Sequence, residues 1–190
     1  NSSPKLSGII VENNTAEVGG GIYINESDVE LDHVTVKNNG SNFGGGIYAT
    51  GSIVKLVSSS IDSNIAYWGA GLYSEDSGFD IERSNIRFNL AYIEGGAIYQ
   101  NGNNMDITES AITSNTGLDF GGALVCYMGL LSLDRVTIAG NSSNYGSAFN
   151  MREAAITISN SIVWENGENT VYSSSSSQAS MMNIGYTNFY

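Results

Sequence analysis

The sequence predicts an all-β fold, a right-handed single-stranded parallel β-helix of about seven coils of 25–26 residues, from three observations. A glycine recurs at Gly19, Gly44, Gly69, Gly95, Gly121 and Gly146, at intervals of 25, 25, 26, 26 and 25 residues. An asparagine keeps the same step at Asn14, Asn39, Asn64, Asn89, Asn115, Asn141 and Asn166. So regular a period, in a chain with one proline, is the signature of a solenoid. Second, apolar residues hold fixed offsets from the asparagines. Third, charges alternate in sign down a column, as stacked neighbouring strands require.

The elements follow in order within each coil. Ten residues before the asparagines stand Val29, Val54, Phe79, Met105, Leu131 and Ile156, and eight before stand Leu6, Leu31, Leu56, Ile81, Ile107, Leu133 and Ile158. This spacing of two is a strand with one face inward. Three before the asparagines, Val11, Val36, Ile61, Ile86, Ile112, Ile138 and Val163 mark a second short strand. After the glycines, Ile22, Ile47, Leu72, Ile98, Leu124 and Phe149 open a third. No stretch sustains a 3.6-residue period, which excludes helical repeats. Parallel crossovers favour the right-handed winding. Outward positions support the same register: Glu12, Lys37, Asp62 and Arg87 alternate, as do Arg83, Glu109 and Arg135.

The two repeated residue types have physical roles at the corners. Stacked asparagines can form a side-chain amide ladder and tolerate a left-handed backbone. The glycines Gly44, Gly45, Gly95, Gly96, Gly121 and Gly122 suit positive φ or a close approach of neighbouring coils. The last coil departs from the pattern. Gly167–Tyr172 has no glycine pair, and the Ser-rich stretch 173–180 is expected to be a loop. The frame then returns at Met182, Ile184 and Phe189. Residues 1–190 form one domain on this reading, with no cap at either end. The start at Asn1 and the stop within a repeat suggest a fragment of a larger polypeptide, joined to other domains.

Composition excludes several functions. Nineteen acidic against seven basic residues give a net charge of -12, which argues against nucleic acid or an anionic membrane as partner. No apolar run reaches membrane-spanning length, and no signal peptide is visible. Cys126 is the single cysteine, so no internal disulfide forms. With no histidine to activate it, Cys126 is expected to be a buried, inert thiol.

The pairs Val36–Asn39 with Gly44–Ile47, Ile86–Asn89 with Gly95–Ile98, and Ile112–Asn115 with Gly121–Leu124 resemble the FxxN and GGA[ILV] repeats of polymorphic outer-membrane proteins, which are autotransporter adhesins. Aliphatic residues stand here in place of the Phe of FxxN. The terminal SIVWENGENTVY, a Ser-rich loop and IGYTNF resemble the end of secreted bacterial β-helix domains of multi-domain surface proteins. The resemblance implies a right-handed parallel β-helix that is secreted or displayed at the cell surface.

Candidate chemistry is sparse. The β-helix class also contains polysaccharide lyases and glycoside hydrolases, which need a base or converging carboxylates. The basic side chains fall mostly in the alternating columns, where salt-bridging explains them. The column Glu30, Lys55, Asp80, Asp106 places two acids on adjacent coils, so Asp80 and Asp106 are the candidate metal ligands. Glu82, Glu109 and Asp134 on neighbouring columns extend that possibility for Ca²⁺. No catalytic set emerges. His33 is expected to be a solvent-facing strand residue. Five Asn-x-Ser/Thr sequons, at Asn1, Asn13, Asn25, Asn39 and Asn141, are as many as an Asn- and Ser-rich chain produces by chance.

The aromatic residues are more informative. Tyr23, Tyr48, Tyr73 and Tyr99 follow the glycines in four consecutive coils, each next to an inward aliphatic residue. Alternation turns them outward. Phe43, Trp68, Phe120 and Tyr145 precede the glycines, interrupted by Ile93 and Glu94. Stacked tyrosines stabilise a sheet by themselves, but flat rings with polar edges also suit sugars or proteins. The expected function is therefore a rigid stalk or adhesive module, secreted or on the cell surface. It would bind a polysaccharide or cell-surface protein through Tyr23, Tyr48, Tyr73 and Tyr99, with Phe43 and Trp68. The alternative is a fragment of a carbohydrate-active enzyme.

Overall fold

The structure, a computed structural model, describes residues 3–174 and 180–189. Each coil repeats onto the next because each strand pairs in parallel with the strand one period away. The result is a parallel β-solenoid of about seven turns, with no helix among the described residues. Taking one coil as the example, the chain passes through Ile53–Val57 in a first sheet and Ser60–Asp62 in a second. It then forms an arc, Ile65–Trp68, and returns through Leu72–Glu75 in a third. The first and second sheets have eight strands each and the third has seven. A short fourth sheet joins the arcs Ile65–Trp68, Leu90–Glu94 and Thr116–Gly117.

The apolar columns pair in the register that their spacing predicts. Leu31, Leu56, Ile81, Ile107, Leu133 and Ile158 stack in the first sheet, and Val36, Ile61, Ile86, Ile112, Ile138 and Val163 in the second. Ile47, Leu72, Ile98, Leu124 and Phe149 close the core from the third. Each such burial contributes about 1.5–3 kcal/mol. Outward charges pair across coils as the alternation requires, with Lys37 Nζ 3.0 Å from Glu12 and Arg87 Nε 2.8 Å from Asp62. Arg135 lies 3.1 Å from Glu109.

The corners are built differently from the expectation. The ladder asparagines are not the left-handed residues. Positive φ falls one position earlier, at Asn13, Asn38, Ser63, Phe88, Ser114, Gly140 and Glu165. That residue turns the chain and aims the following amide inward along the rod. Asn64 is typical: its backbone N–H and Nδ2 both donate to Asn89 Oδ1, at 2.9 and 3.0 Å. Its own Oδ1 accepts the same pair from Asn39, and its Nδ2 also donates to Val36 O at 3.0 Å. The ladder runs without a break from Asn14 to Asn166.

Serine repeats the device at the other two corners, which the periodicity of Asn and Gly does not reveal. After the left-handed Ser58, Arg83 and Glu109 come Ser59, Ser84 and Ser110. The N–H of Ser59 donates to Ser84 Oγ at 3.1 Å, and that of Ser84 to Ser110 Oγ at 3.0 Å. Ser27, Ser52 and Ser77 do the same at the third corner. Where a corner removes a main-chain N–H from its strand ladder, a side-chain oxygen replaces the lost carbonyl.

The last coil restores the register, pairing Ile156 with Met182, Ile158 with Ile184 and Val163 with Phe189. The start of the expected Ser-rich loop, 173–180, is strand instead. Ser173 and Ser174 belong to strand Val171–Ser174 of the third sheet, because their backbone pairs with Met151 and Arg152. Residues 175–179 lie outside the described residues, as does Asn1 of the first sequon. Asn39 and Asn141 are buried ladder rungs.

Candidate functional site

The outer face of the third sheet holds the four tyrosines that the sequence singles out. They pair in register from coil to coil. Their rings stack: Tyr23 on Tyr48 at 5.5 Å, Tyr48 on Tyr73 at 5.3 Å, and Tyr73 on Tyr99 at 4.8 Å between centroids. They point away from the apolar core, but the two middle rings are buried and Tyr99 is half-buried, which corrects the expected exposed strip. Tyr48 and Tyr73 are each 9% exposed and Tyr23, at the end of the stack, 56%. The cause is the arc, which folds back over the sheet at the opening glycine. A Cβ on Gly69, φ +58°, would lie 2.9 Å from Tyr73 Cβ.

A second aromatic column runs down the inner end of the arc. Phe43 stacks on Trp68 at 4.8 Å and meets Tyr73 edge-on at 5.6 Å. Both are half-buried, and Phe43 covers one side of Tyr73. Burial raises the pKa of Tyr48, Tyr73 and Tyr99, and the Tyr48 hydroxyl donates to Glu75 Oε2.

Glu94 replaces an aromatic ring in that column, between Trp68 and Phe120. It is buried. Arg152 reaches back two coils to it, with Nη2 2.8 Å from Glu94 Oε1 and the guanidinium 5.0 Å from the Phe120 ring centre. Glu94 Oε2 and the Asn150 side-chain amide are buried without a partner among the described residues.

Asp80 and Asp106 are neighbours in register on the outer face of the first sheet, as expected. Both are exposed. Lys55 Nζ lies 4.0 Å from Asp80. Asp106 lines a shallow groove of about 310 Å³ with Asn104, Leu130, Ser132 and Thr157 among its walls. The other acids considered for Ca²⁺ have partners already. Glu82 contacts Arg83, Glu109 contacts Arg135, and Asp134 accepts from Ser159 Oγ at 2.8 Å and Asn160 Nδ2 at 2.7 Å. Those two donors lower the Asp134 pKa. No group of three or more His, Cys, Asp or Glu side chains that could hold a metal occurs among the described residues. Two aspartates supply fewer oxygens than the six to eight that Ca²⁺ takes.

Cys126 is buried, and desolvation pushes its thiol up to about 12. His33 is a left-handed corner residue rather than a strand residue, with Nδ1 2.6 Å from Asp32. Every Lys and Arg has a carboxylate within 4.0 Å.

Two further aromatic residues face solvent that the repeat did not single out. Tyr67 and Tyr92 lie on the outer face of the fourth sheet, 46% and 47% exposed, with ring centres 5.6 Å apart. The sequence signal for them was their position two residues from the arc's start, where the coil before places Asn42 and the coil after places Leu118. No family model, curated protein or solved structure matches the chain.

Proposed function

We propose that this domain is a secreted or cell-surface module that serves as a rigid stalk and displays an adhesive face to carbohydrate or to a protein partner. The observation that carries this reading is the continuity of the ladders. Three sheets, an unbroken asparagine stack and the serine corners leave one rigid rod, roughly 35 Å long at about 4.8 Å per coil. A rod of identical coils presents side chains at fixed spacing, so weak contacts on successive coils add. The resemblance to adhesin repeats points the same way.

The second reading, a carbohydrate-active enzyme fragment, draws on Asp106 and its groove beside Asp80. Glycoside hydrolysis uses two carboxyl groups flanking the scissile bond, and these two lie side by side on one flat face. A glycan-array screen with calcium and with chelator, run beside a product assay on the same polysaccharides, separates the readings. Binding without cleavage is expected. Cleavage that Asp106→Asn abolishes would replace the stalk with an enzyme.

A further inference from the structure

We infer that the outer face of the fourth sheet is a docking track for an uncharged glycan chain lying along the rod axis. This deepens the adhesive reading and rests on it. The face is built by Ile65, Tyr67, Tyr92 and Leu118 on three successive coils. Tyr67 and Tyr92 immediately follow Ala66 and Ala91, which pair in register, and Leu118 follows Gly117, the next partner of Ala91. Leu118 is 46% exposed, like the two tyrosines.

Three observations set this face apart. Its columns are apolar only here: the coil before contributes Gly40 and Asn42, and the coil after contributes Ser142 and Asn144. The repeat therefore does not need these side chains for its own stacking. The two rings are tilted by 49° to each other and open to solvent, unlike the near-parallel, covered stack of the third sheet. Trp68 adjoins the face, with its ring 6.0 Å from Tyr67.

The chemistry selects the occupant. Open aromatic faces with hydroxyl edges match the apolar faces and polar rims of pyranose rings. The rings advance by one coil at 5.6 Å, so a chain of sugars running down the rod meets one ring after another. Charge excludes the anionic competitors. With a net charge of -12 and every Lys and Arg already beside a carboxylate, the rod offers nothing to an anionic polysaccharide. Like charge also opposes a second copy on the same face.

Trp68 supplies the readout. In a Trp164→Phe background it is the sole tryptophan, and its emission can be titrated with cellohexaose, chitohexaose and mannohexaose, with oligogalacturonate as the anionic probe. At least one uncharged probe is expected to shift the emission saturably, and oligogalacturonate to leave it unchanged. Tyr67→Ala with Tyr92→Ala should weaken that binding about tenfold or more, and Leu118→Asn less, with unchanged circular dichroism and melting temperature. Ile53→Ala, exposed on the first sheet, should bind as the parent does. Calorimetry on the parent and the double variant checks the titration independently of Trp68.

The inference is overturned if no uncharged probe binds, if the anionic probe binds instead, or if the double variant binds as tightly as the parent. If array binding persists in the double variant, the adhesive reading stands and the docking face is wrong. If a probe is cleaved, and the double variant fails to bind it, the docking face stands and the adhesive reading is wrong.

Discussion

Asn64 shows what one rung of the ladder does. Replacing it by Ala strands the Asn39 N–H and amide donors and leaves Val36 O without its amide. Buried groups left unpaired cost about 1–3 kcal/mol each, partly relieved by relaxation. We expect Asn64→Ala to lose about 2–4 kcal/mol in urea unfolding. Asn14→Ala, at the exposed end, should lose less than about 1 kcal/mol on the same physical ground. The amide ladder was legible in the sequence as spacing alone. That the left-handed residue precedes the asparagine was not, because Asn38, Ser63, Phe88 and Ser114 share a backbone angle and no side-chain chemistry.

The buried phenols and thiol make a second prediction at this scale. Tyr48, Tyr73, Tyr99 and Cys126 all have raised pKa values, with burial the largest cause. A raised folded pKa favours the neutral form, so its stabilisation is complete below the unfolded value and is lost as pH climbs. The melting temperature should be level up to the free thiol's 9.0 and fall above the free phenol's 10.0. Tyr48→Phe with Tyr73→Phe should flatten that fall. A fall beginning near neutrality would contradict the burial of these rings.

At the scale of an element, the arc depends on its second glycine. A Cβ at Gly45 would lie 2.5 Å from Ile65 O and 2.7 Å from Ala70 O. Gly45→Ala therefore forces neighbouring coils apart, and we expect it to cost about 2–3 kcal/mol, measured by thermal unfolding. The equivalent position one coil on is Ala70, whose methyl packs with Ala66 and Ala91. Room for it comes from the next arc, Leu90–Glu94, which carries an extra residue and shifts register between Ala91 and Glu94. The 26-residue spacing announced that insertion. Its consequence, a buried carboxylate at Glu94 held by Arg152 58 positions away, could not be read from spacing, because the partner comes from another sheet two coils distant.

For the whole molecule, stability should be nearly a sum over coils and their contacts. Excising residues 45–69, one full period, joins Gly44 to Ala70 and preserves each column. The shortened chain should still fold, with a rod shorter by about 4.8 Å in solution scattering and a lower urea midpoint. Failure to fold would show that some coil acts as an indispensable nucleus rather than as one unit among equals.

The sequence by itself determined the solenoid, the strand register, the amide ladder and the cross-coil ion pairs, because a one-period repeat brings each residue beside its own counterpart. Tertiary structure alone decided which aromatic rings face solvent. Tyr48 and Tyr23 occupy the same column, yet only the end ring is exposed, and Tyr67, in an irregular arc, is open where Tyr73 is covered. Alternation along a strand says which way a side chain leaves the sheet. Only the path of the arc, set by glycines that let the backbone fold back, says whether anything then covers it.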